Sequence, residues 1–166
     1  MKISLIRLAE GLHTLDFVEK LAEFGLEGDP KLCGDVQIRV DLEKRAPHYF
    51  LKNHVQASGR FACDRCANEF DLTFQGDSRS VFSSDEAMLA MNNDDEVHFI
   101  APDAKELDIT SDIRDTLLLA IPSKLLCKED CRGLCAGCGV NLNEEACRCA
   151  GSSSADPRWE ALRKLL

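Results

Sequence analysis

The sequence contains neither a long apolar run nor an excess of positive charge. Its longest strongly apolar run, residues 117–121, is far too short to cross a bilayer. Residues 1–10 alternate charged and apolar side chains, unlike a signal peptide. The 166 residues include 20 Lys and Arg against 29 Asp and Glu, a formal net charge of -9, which argues against a generally basic nucleic-acid binder. We therefore expect a soluble, cytoplasmic protein whose cysteines are reduced thiols or metal ligands.

The sequence also lacks the usual catalytic constellations. Its histidines are scattered, with no serine or carboxylate at a recognisable spacing from them, and it contains no glycine-rich phosphate-binding loop. We therefore expect a protein that is not an enzyme and has neither a small-molecule substrate nor a membrane partner. The four histidines, interpreted as surface or strand residues, are His13, His48, His54 and His98.

The negative charge is concentrated in residues 83–115. Ten acidic residues lie there against two basic ones, Lys105 and Arg114, while the rest of the chain is nearly balanced. A solvated loop or a group of acids at helix N-termini is the simpler interpretation. A docking surface for a basic partner is the alternative.

The middle of the chain is typical of an antiparallel β-meander. Residues 36–42 alternate apolar and polar side chains without interruption, which predicts a half-buried strand. A turn at residues 45–47 is followed by a predicted returning strand at 49–61 and a further strand at 70–74. Shorter strands are predicted at 3–8, 96–101 and 106–109.

A few short helices accompany these strands. Thr14 or Asp16 is a candidate N-cap for a helix that runs to about Phe24. A second helix is predicted to start at Ser111 or Asp112 and to end before residue 122, a proline. The residues expected to be buried by this second helix are Ile113, Leu117 and Leu118.

These elements predict an α+β fold with a C-terminal cysteine-rich zinc-knuckle segment. Residues 1–122 form a β-rich body with the N-terminal helix and the acidic segment. Residues 123–166 form the metal segment and a docking helix, packed on the body as one domain. The docking helix is predicted to start at Asp156 and Pro157 after a flexible joint at 150–155, with Trp159, Leu162 and Leu166 on one face.

Eight of the nine cysteines have spacings that suit metal binding. A C-x2-C turn chelates a tetrahedral ion with little strain, and two such turns are present. The preferred division keeps the C-terminal site local in the chain: the cysteines at 135 and 138 share one ion with those at 147 and 149. The cysteines at 63 and 66 then share a second ion with those at 127 and 131. A site formed by 63/66 with 147/149 is also allowed. Cys33 is left over as a free thiol. The eight candidate ligands are Cys63, Cys66, Cys127, Cys131, Cys135, Cys138, Cys147 and Cys149.

The expected cofactor is zinc, with one or two structural ions per chain. Four thiolates close the coordination shell, which indicates a structural site because a catalytic zinc keeps a position open. Unbound thiols, disulfides and an iron–sulfur cluster are the alternatives.

Several motifs together point to one family. They are the C-x2-C pair followed by Phe70, LLAIP at 118–122, LCKEDCRGLC at 126–135, CGVNLN at 138–143 and DPRW at 156–159. They resemble the YceD-type large ribosomal RNA subunit accumulation protein family. The resemblance spans nearly the whole chain and is weakest before about residue 36.

The resemblance implies a non-enzymatic factor in ribosome biogenesis. Such a factor is needed for large-subunit (23S-type) ribosomal RNA to accumulate, through ribosome assembly or through processing or protection of the RNA. The implied partners are large-subunit ribosomal RNA or its precursor, or a basic ribosomal protein. The sequence alone leaves open a zinc-thiolate redox sensor or a chaperone-like protein, while the charge of -9 disfavours a DNA-binding zinc module. Bases that could contact RNA are Lys124, Lys128, Arg132, Arg148, Arg158, Arg163 and Lys164.

Overall fold

The computed structural model describes residues 1–6, 8–28, 31–85 and 97–149, and this part of the chain is mostly β-sheet. The chain divides into two compact units. The first unit consists of Met1–Phe61 and Glu69–Leu125, and the second of Ala62–Asn68 and Leu126–Leu166.

The first unit contains a five-stranded sheet, a two-stranded sheet and one α-helix among the described residues. The five-stranded sheet has the order β2-β3-β4-β5-β6, and β1 pairs with β7 in the smaller sheet. The elements are β1 (Lys2–Ser4), β2 (Gly11–Lys20), a 3-10 helix (Leu21–Phe24), β3 (Leu32–Arg45), β4 (His48–Ala62), β5 (Glu69–Ser83), β6 (Val97–Phe99), β7 (Glu106–Asp108) and α1 (Thr110–Ala120).

Three strands of the predicted meander, β3, β4 and β5, are confirmed, while β2 is a fourth long strand that was not predicted. β3 pairs antiparallel with both β2 and β4, and the turn at residues 46–47 joins β3 to β4. Val36, Ile38, Val40 and Leu42 are all buried on one face of β3, as the strict alternation of the sequence requires. The meander therefore follows from side-chain periodicity and turn position.

The sheet departs from a pure antiparallel meander at its edge. β6 runs parallel to β5, with Val81 opposite Val97 and Ser83 opposite Phe99. A parallel pair needs a crossover of about a dozen residues or more. The interval between β5 and β6 is long enough to allow this arrangement.

The predicted N-terminal helix from Thr14 or Asp16 to Phe24 is wrong. Residues 11–20 form β2, and only Leu21–Phe24 is helical, as a short 3-10 turn. β2 pairs with β3 without interruption from Gly11 to Lys20. The backbone N–H and C=O groups of this segment therefore form hydrogen bonds across the sheet and not within a helix. Leu15 and Phe17 pack against the core at strand spacing.

Helix α1 packs on β5 at a glycine. A Cβ atom added at Gly76 would lie 2.6 Å from the Cβ of Ala120, so the two elements approach too closely for a larger residue. Ile113 and Leu117 are buried as predicted, together with Thr116, whose hydroxyl donates to Ser78 Oγ at 2.7 Å. The prediction that Leu118 is buried is wrong: its side chain is 39% exposed, because it lies off the face that meets β5.

Some sequence predictions lie outside the described residues. These are the joint at 150–155, the C-terminal docking helix and the part of the acidic stretch at 86–96. No helix in the described ranges is long and apolar enough to cross a membrane.

Candidate metal centres

The second unit brings the eight candidate ligands together as two groups of four. One group contains Cys63, Cys66, Cys127 and Cys131, and within it all Sγ atoms lie within 4.8 Å of one another. The other contains Cys135, Cys138, Cys147 and Cys149 at the same limit. We call them the first and the second centre. This grouping is the division preferred from the spacing of the cysteines, and that all eight bind metal stays a prediction.

The spacing of the sulfur atoms suits a single tetrahedral ion in each centre. A metal–sulfur bond of about 2.3 Å in a tetrahedral shell sets neighbouring sulfurs about 3.8 Å apart. In the first centre Cys63 and Cys131 are 3.8 Å apart, and Cys66 and Cys127 are 3.7 Å apart. In the second centre two of the sulfur pairs are separated by 3.3 and 3.9 Å. The donor sets therefore fit a metal ion, whereas a disulfide would require a sulfur separation of about 2 Å.

The first centre is built on a tight turn between β4 and β5. The N–H of Cys63 donates to the carbonyl of Asn68 at 2.9 Å, and the N–H of Ala67 donates back to the carbonyl of Cys63 at 2.9 Å. Ala67 has a φ of 59°, a left-handed conformation that is costly for a residue with a Cβ atom. The turn thereby directs the sulfurs of Cys63 and Cys66 toward one point.

The second centre contains a turn with the same hydrogen bonds. The N–H of Cys135 donates to the carbonyl of Val140 at 2.8 Å, and the N–H of Gly139 donates to the carbonyl of Cys135 at 2.8 Å. Gly139 has a φ of 72° and takes the position that Ala67 has in the first turn. Gly137 serves a different purpose, because an added Cβ there would lie 2.6 Å from Cys149 Sγ.

The two centres differ in exposure. In the first centre Cys63, Cys66 and Cys131 are each 3% exposed. In the second centre Cys138 and Cys147 are exposed, and the other two sulfur ligands are half-buried. Solvent and small reagents therefore reach the second centre more readily than the first.

Arg65 ties the two halves of the first centre together. Its guanidinium donates to the carbonyl oxygens of Glu129 at 3.2 Å and Cys131 at 2.8 Å. Its own carbonyl accepts from the N–H of Leu134 at 3.0 Å. The residue between the cysteines of a C-x2-C turn thus fixes the segment that carries the other two ligands.

Neighbouring groups shift the pKa values of the metal-free thiols in both directions. The backbone N–H of Cys127 lowers the pKa of Cys63 to about 6, and that of Cys138 lowers the pKa of Cys135 to about 6. Burial raises the pKa of Cys127 to about 12, and the hydrogen bond to the Cys138 sulfur raises that of Cys149 to about 12. Metal must displace the protons that remain, so metal affinity rises with pH.

Reasoning from the sequence missed one residue at the first centre. Asn143 donates from Nδ2 to Cys131 Sγ at 3.4 Å, although it belongs to the loop between two ligands of the second centre. The only signal was the pair of asparagines at 141 and 143, each of which can hold a turn through side-chain hydrogen bonds to the backbone.

The remaining candidates lie in the first unit. Cys33 is exposed on β3 and belongs to neither group. His48 contacts Ser83 Oγ at 2.9 Å. The other contacts of histidines are His54 with Asp77 at 2.7 Å, His98 with Asp112 at 3.3 Å and His13 with the carbonyl of Ala9 at 2.9 Å.

The matching turns predict opposite effects of glycine and alanine. Ala67→Gly should strengthen metal binding at the first centre, because it removes the cost of a left-handed alanine, about 1 kcal/mol or roughly fivefold in affinity. Gly139→Ala should weaken the second centre by a similar factor, since nothing lies within 4 Å of the added Cβ and only backbone strain changes. Competition with a chromophoric chelator measures both. Ala136→Gly, a site without positive φ, is the control, and equal behaviour of Ala67→Gly and Ala136→Gly would contradict the argument.

Metal removal should unfold the second unit and leave the first unit folded. The residues buried in its described part are Cys63, Cys66, Cys131 and Gly133, so no apolar core remains without the ions. After chelation, hydrogen exchange should show loss of amide protection at 62–68 and 126–149, with β3, β4 and α1 still protected. Cys33→Ser, the control, should behave like the unaltered chain. Protection of the second unit that survives complete metal removal would refute the expectation.

Comparison with known proteins gives consistent matches. The family model described as "Large ribosomal RNA subunit accumulation protein YceD" matches residues 51–166, which include both centres. A chloroplastic protein of Zea mays named "Large ribosomal RNA subunit accumulation protein YCED homolog 1" is 32% identical over 181 aligned positions, covering 88% of this chain and 61% of the relative.

Two further relatives differ in coverage. The Arabidopsis thaliana protein of the same name is 43% identical over 72 residues, 43% of this chain and 22% of the relative. An uncharacterized Mycobacterium tuberculosis protein is 29% identical over 155 residues, 91% of this chain and 72% of the relative. The chain thus spans less than two thirds of the two plant relatives.

No solved structure matches the chain. The family model nevertheless covers well over half of the sequence, and its range contains all eight cysteines of the two centres. The chain belongs to the YceD family of large ribosomal RNA subunit accumulation proteins.

Proposed function

We propose that this protein is a non-enzymatic factor required for the accumulation of large-subunit ribosomal RNA. It acts in the cytoplasm, during ribosome assembly or during processing or protection of the RNA. The observation that carries the proposal is the family match over residues 51–166, since the family is described by this role. The plant relatives carry the same description.

The proposal includes one zinc ion in each centre. Sulfur separations of 3.7 and 3.8 Å in the first centre suit one ion shared by all four ligands. An iron–sulfur cluster would divide the four cysteines among two or more irons and so spread their sulfurs farther apart than a single ion does. Zinc accepts a four-thiolate tetrahedral shell readily, and the closed shell gives the ion a structural role. Each filled centre then has four thiolates around a divalent cation and carries two negative charges.

The charge of the described part of the second unit favours a basic protein as the direct partner. Its described residues have more acidic than basic side chains, and the two zinc–thiolate centres add further negative charge. RNA phosphates would be repelled, because phosphate neutralisation by Lys and Arg supplies most non-specific affinity for RNA. The basic residues are Arg65, Lys128, Arg132 and Arg148, and the acidic residues are Asp64, Glu129, Asp130, Glu144 and Glu145.

A groove in the first unit supports the same kind of partner. Its volume is about 1090 Å³, and helix α1 contributes Asp112, Asp115 and the largely exposed Leu119 to its wall. Asp112 Oδ2 is buried and has no hydrogen-bond donor among the described residues. Asp115 on the same wall is exposed, and its carboxylate can accept from a guanidinium or ammonium group of a basic ribosomal protein. Lys52 and Arg79 on the opposite wall leave the groove only weakly acidic, so α1 is the side that would receive the cation.

Depletion and complementation test the proposed function. In cells depleted of the protein, large-subunit RNA should fall relative to small-subunit RNA, and the unaltered chain should restore the ratio. Cys63→Ser combined with Cys131→Ser should not restore it, because the first centre loses two ligands, while Cys33→Ser should restore it fully. Quantification of both RNAs gives the ratio. An unchanged ratio on depletion would falsify the proposal, and crosslinking in the rescued cells separates direct RNA contact from contact through a ribosomal protein.

The exposed cysteines of the second centre favour a second candidate, a thiol-based redox sensor. Two thiolates would be oxidised to a disulfide by hydrogen peroxide, which takes up two protons and is reduced to two water molecules while zinc is released. Cys138 and Cys147 should then be oxidised before Cys63 and Cys131, and mass spectrometry with a zinc indicator measures the order. Zinc that stays bound at peroxide levels that oxidise Cys33 would eliminate this candidate.

A further inference from the structure

One side chain contacts elements of both candidate centres. Asn143 lies in the loop whose two ends, Cys138 and Cys147, are ligands of the second centre. Its Nδ2 donates to the sulfur of Cys131 in the first centre at 3.4 Å, and its Oδ1 accepts from the N–H of Arg132 at 2.9 Å. The second centre's loop therefore supplies a hydrogen bond to a ligand of the first.

Local hydrogen bonds hold Asn143 in this position. Asn141 Oδ1 accepts from both the backbone N–H of Asn143 at 3.1 Å and its Nδ2 at 2.8 Å. The N–H of Leu142 donates to the carbonyl of Gly133 at 2.9 Å. The Asn-Leu-Asn sequence thus forms a compact turn in which the second asparagine has little rotational freedom.

Glu144 connects this turn to the segment that bears the first C-x2-C pair. Its Oε1 accepts from Asn141 Nδ2 at 3.0 Å and from Asn68 Nδ2 at 3.0 Å. Asn68 also closes the turn of the first centre, because its carbonyl accepts from the N–H of Cys63. Two separate contacts, one to a sulfur and one to a turn, therefore link the loop to the first centre.

We infer that the loop between Cys138 and Cys147, acting through Asn143, couples the two centres so that metal in the second centre strengthens metal binding in the first. An ion in the second centre joins the two ends of the loop and orders it before Asn143 reaches Cys131. Asn143 is a positioning residue, since it contacts a ligand and not the ion.

The expected size of the coupling follows from the surroundings of Cys131. This cysteine is 3% exposed, so water does not solvate the charge on its thiolate and an N–H donor counts for more than at a surface. Removing partners of metal ligands typically lowers metal affinity 10–100-fold. Reciprocity requires that metal in the first centre strengthen binding at the second by the same factor. The inference rests on the proposed zinc occupancy and not on the ribosomal role.

Cadmium-113 NMR of the full chain, combined with chelator competition, tests the coupling. The two centres should give separate resonances, assigned with Cys63→Ser and Cys138→Ser. Emptying the second centre with Cys138→Ser and Cys147→Ser should weaken metal binding at the first centre about 10-fold. Asn143→Ala should weaken it by a comparable factor while the second centre keeps its ion. When all three substitutions are combined, the loss of metal affinity at the first centre should be much smaller than the product of the two separate losses. The reason is that emptying the second centre and removing Asn143 act through the same contact.

Matched variants separate the contact from general damage to the loop. Asn143→Asp keeps an oxygen for the N–H of Arg132 and loses the donor to Cys131, so it should weaken the first centre as Asn143→Ala does. Glu145→Gln, on the same loop, removes the negative charge that pairs with Arg148 and should leave the first centre unchanged. The coupling would be overturned if the losses of metal affinity at the first centre multiplied. It would also be overturned if substitutions of Asn143 left that affinity unchanged. If the unaltered chain binds no ion at either centre, the proposed zinc fails and the coupling with it, whereas normal binding without coupling leaves the proposed function intact.

Discussion

The convergence of four cysteine sulfurs on one point is the constraint on which the second unit depends. A small protein segment normally folds by burying apolar side chains, and the described part of this unit buries only three cysteines and one glycine. The backbone there consists of turns with little regular secondary structure, so hydrogen bonds alone offset little of the entropy lost on ordering. Metal coordination by the cysteines is the one interaction available to this set of side chains that is strong enough to offset the remaining loss of entropy.

The first unit has the opposite design, because it buries a large apolar cluster. This cluster runs from Ile3 and Phe24 through the buried face of β3 to Ile113 and Leu117 on α1. The first C-x2-C turn occupies the connection between β4 and β5, where a simple hairpin loop would otherwise suffice. One connection of the five-stranded sheet is therefore half of a candidate metal centre, and its two ends continue directly into β4 and β5. Forming the first centre therefore costs less conformational entropy than binding the same ion would cost a free C-x2-C peptide.

Sequence reasoning predicted those features that depend on local spacing. The alternation at 36–42 indicated β3, and the C-x2-C spacing indicated which cysteines lie on one turn. It failed at β2, where Asp16 and Glu19 are compatible with a helix start and the ten-residue pairing with β3 decides the conformation. It also missed the contact from Asn143 to Cys131, because that hydrogen bond joins two loops whose approach depends on Arg65 and Gly133. A Cβ at Gly133 would lie 2.9 Å from the carbonyl of Arg65, so this glycine is required by a tertiary approach that no local pattern encodes.

The electrostatics of the metal centres bear on how a protein of this family reaches ribosomal RNA. With zinc bound as proposed, thiolate coordination would make the second unit more negative than its side chains alone suggest, and this charge could not be neutralised without losing the ligands. Arg65 and Arg148, two of its four described bases, make contacts within the unit, Arg65 to the carbonyls of Glu129 and Cys131 and Arg148 to the carboxylate of Glu145. Within the described part of the unit this leaves Lys128 and Arg132 for phosphate contact. In the proposed role, a surface of this kind would approach the ribosome most favourably through its basic proteins, which screen the RNA phosphates and offer the cations that the acidic side chains lack.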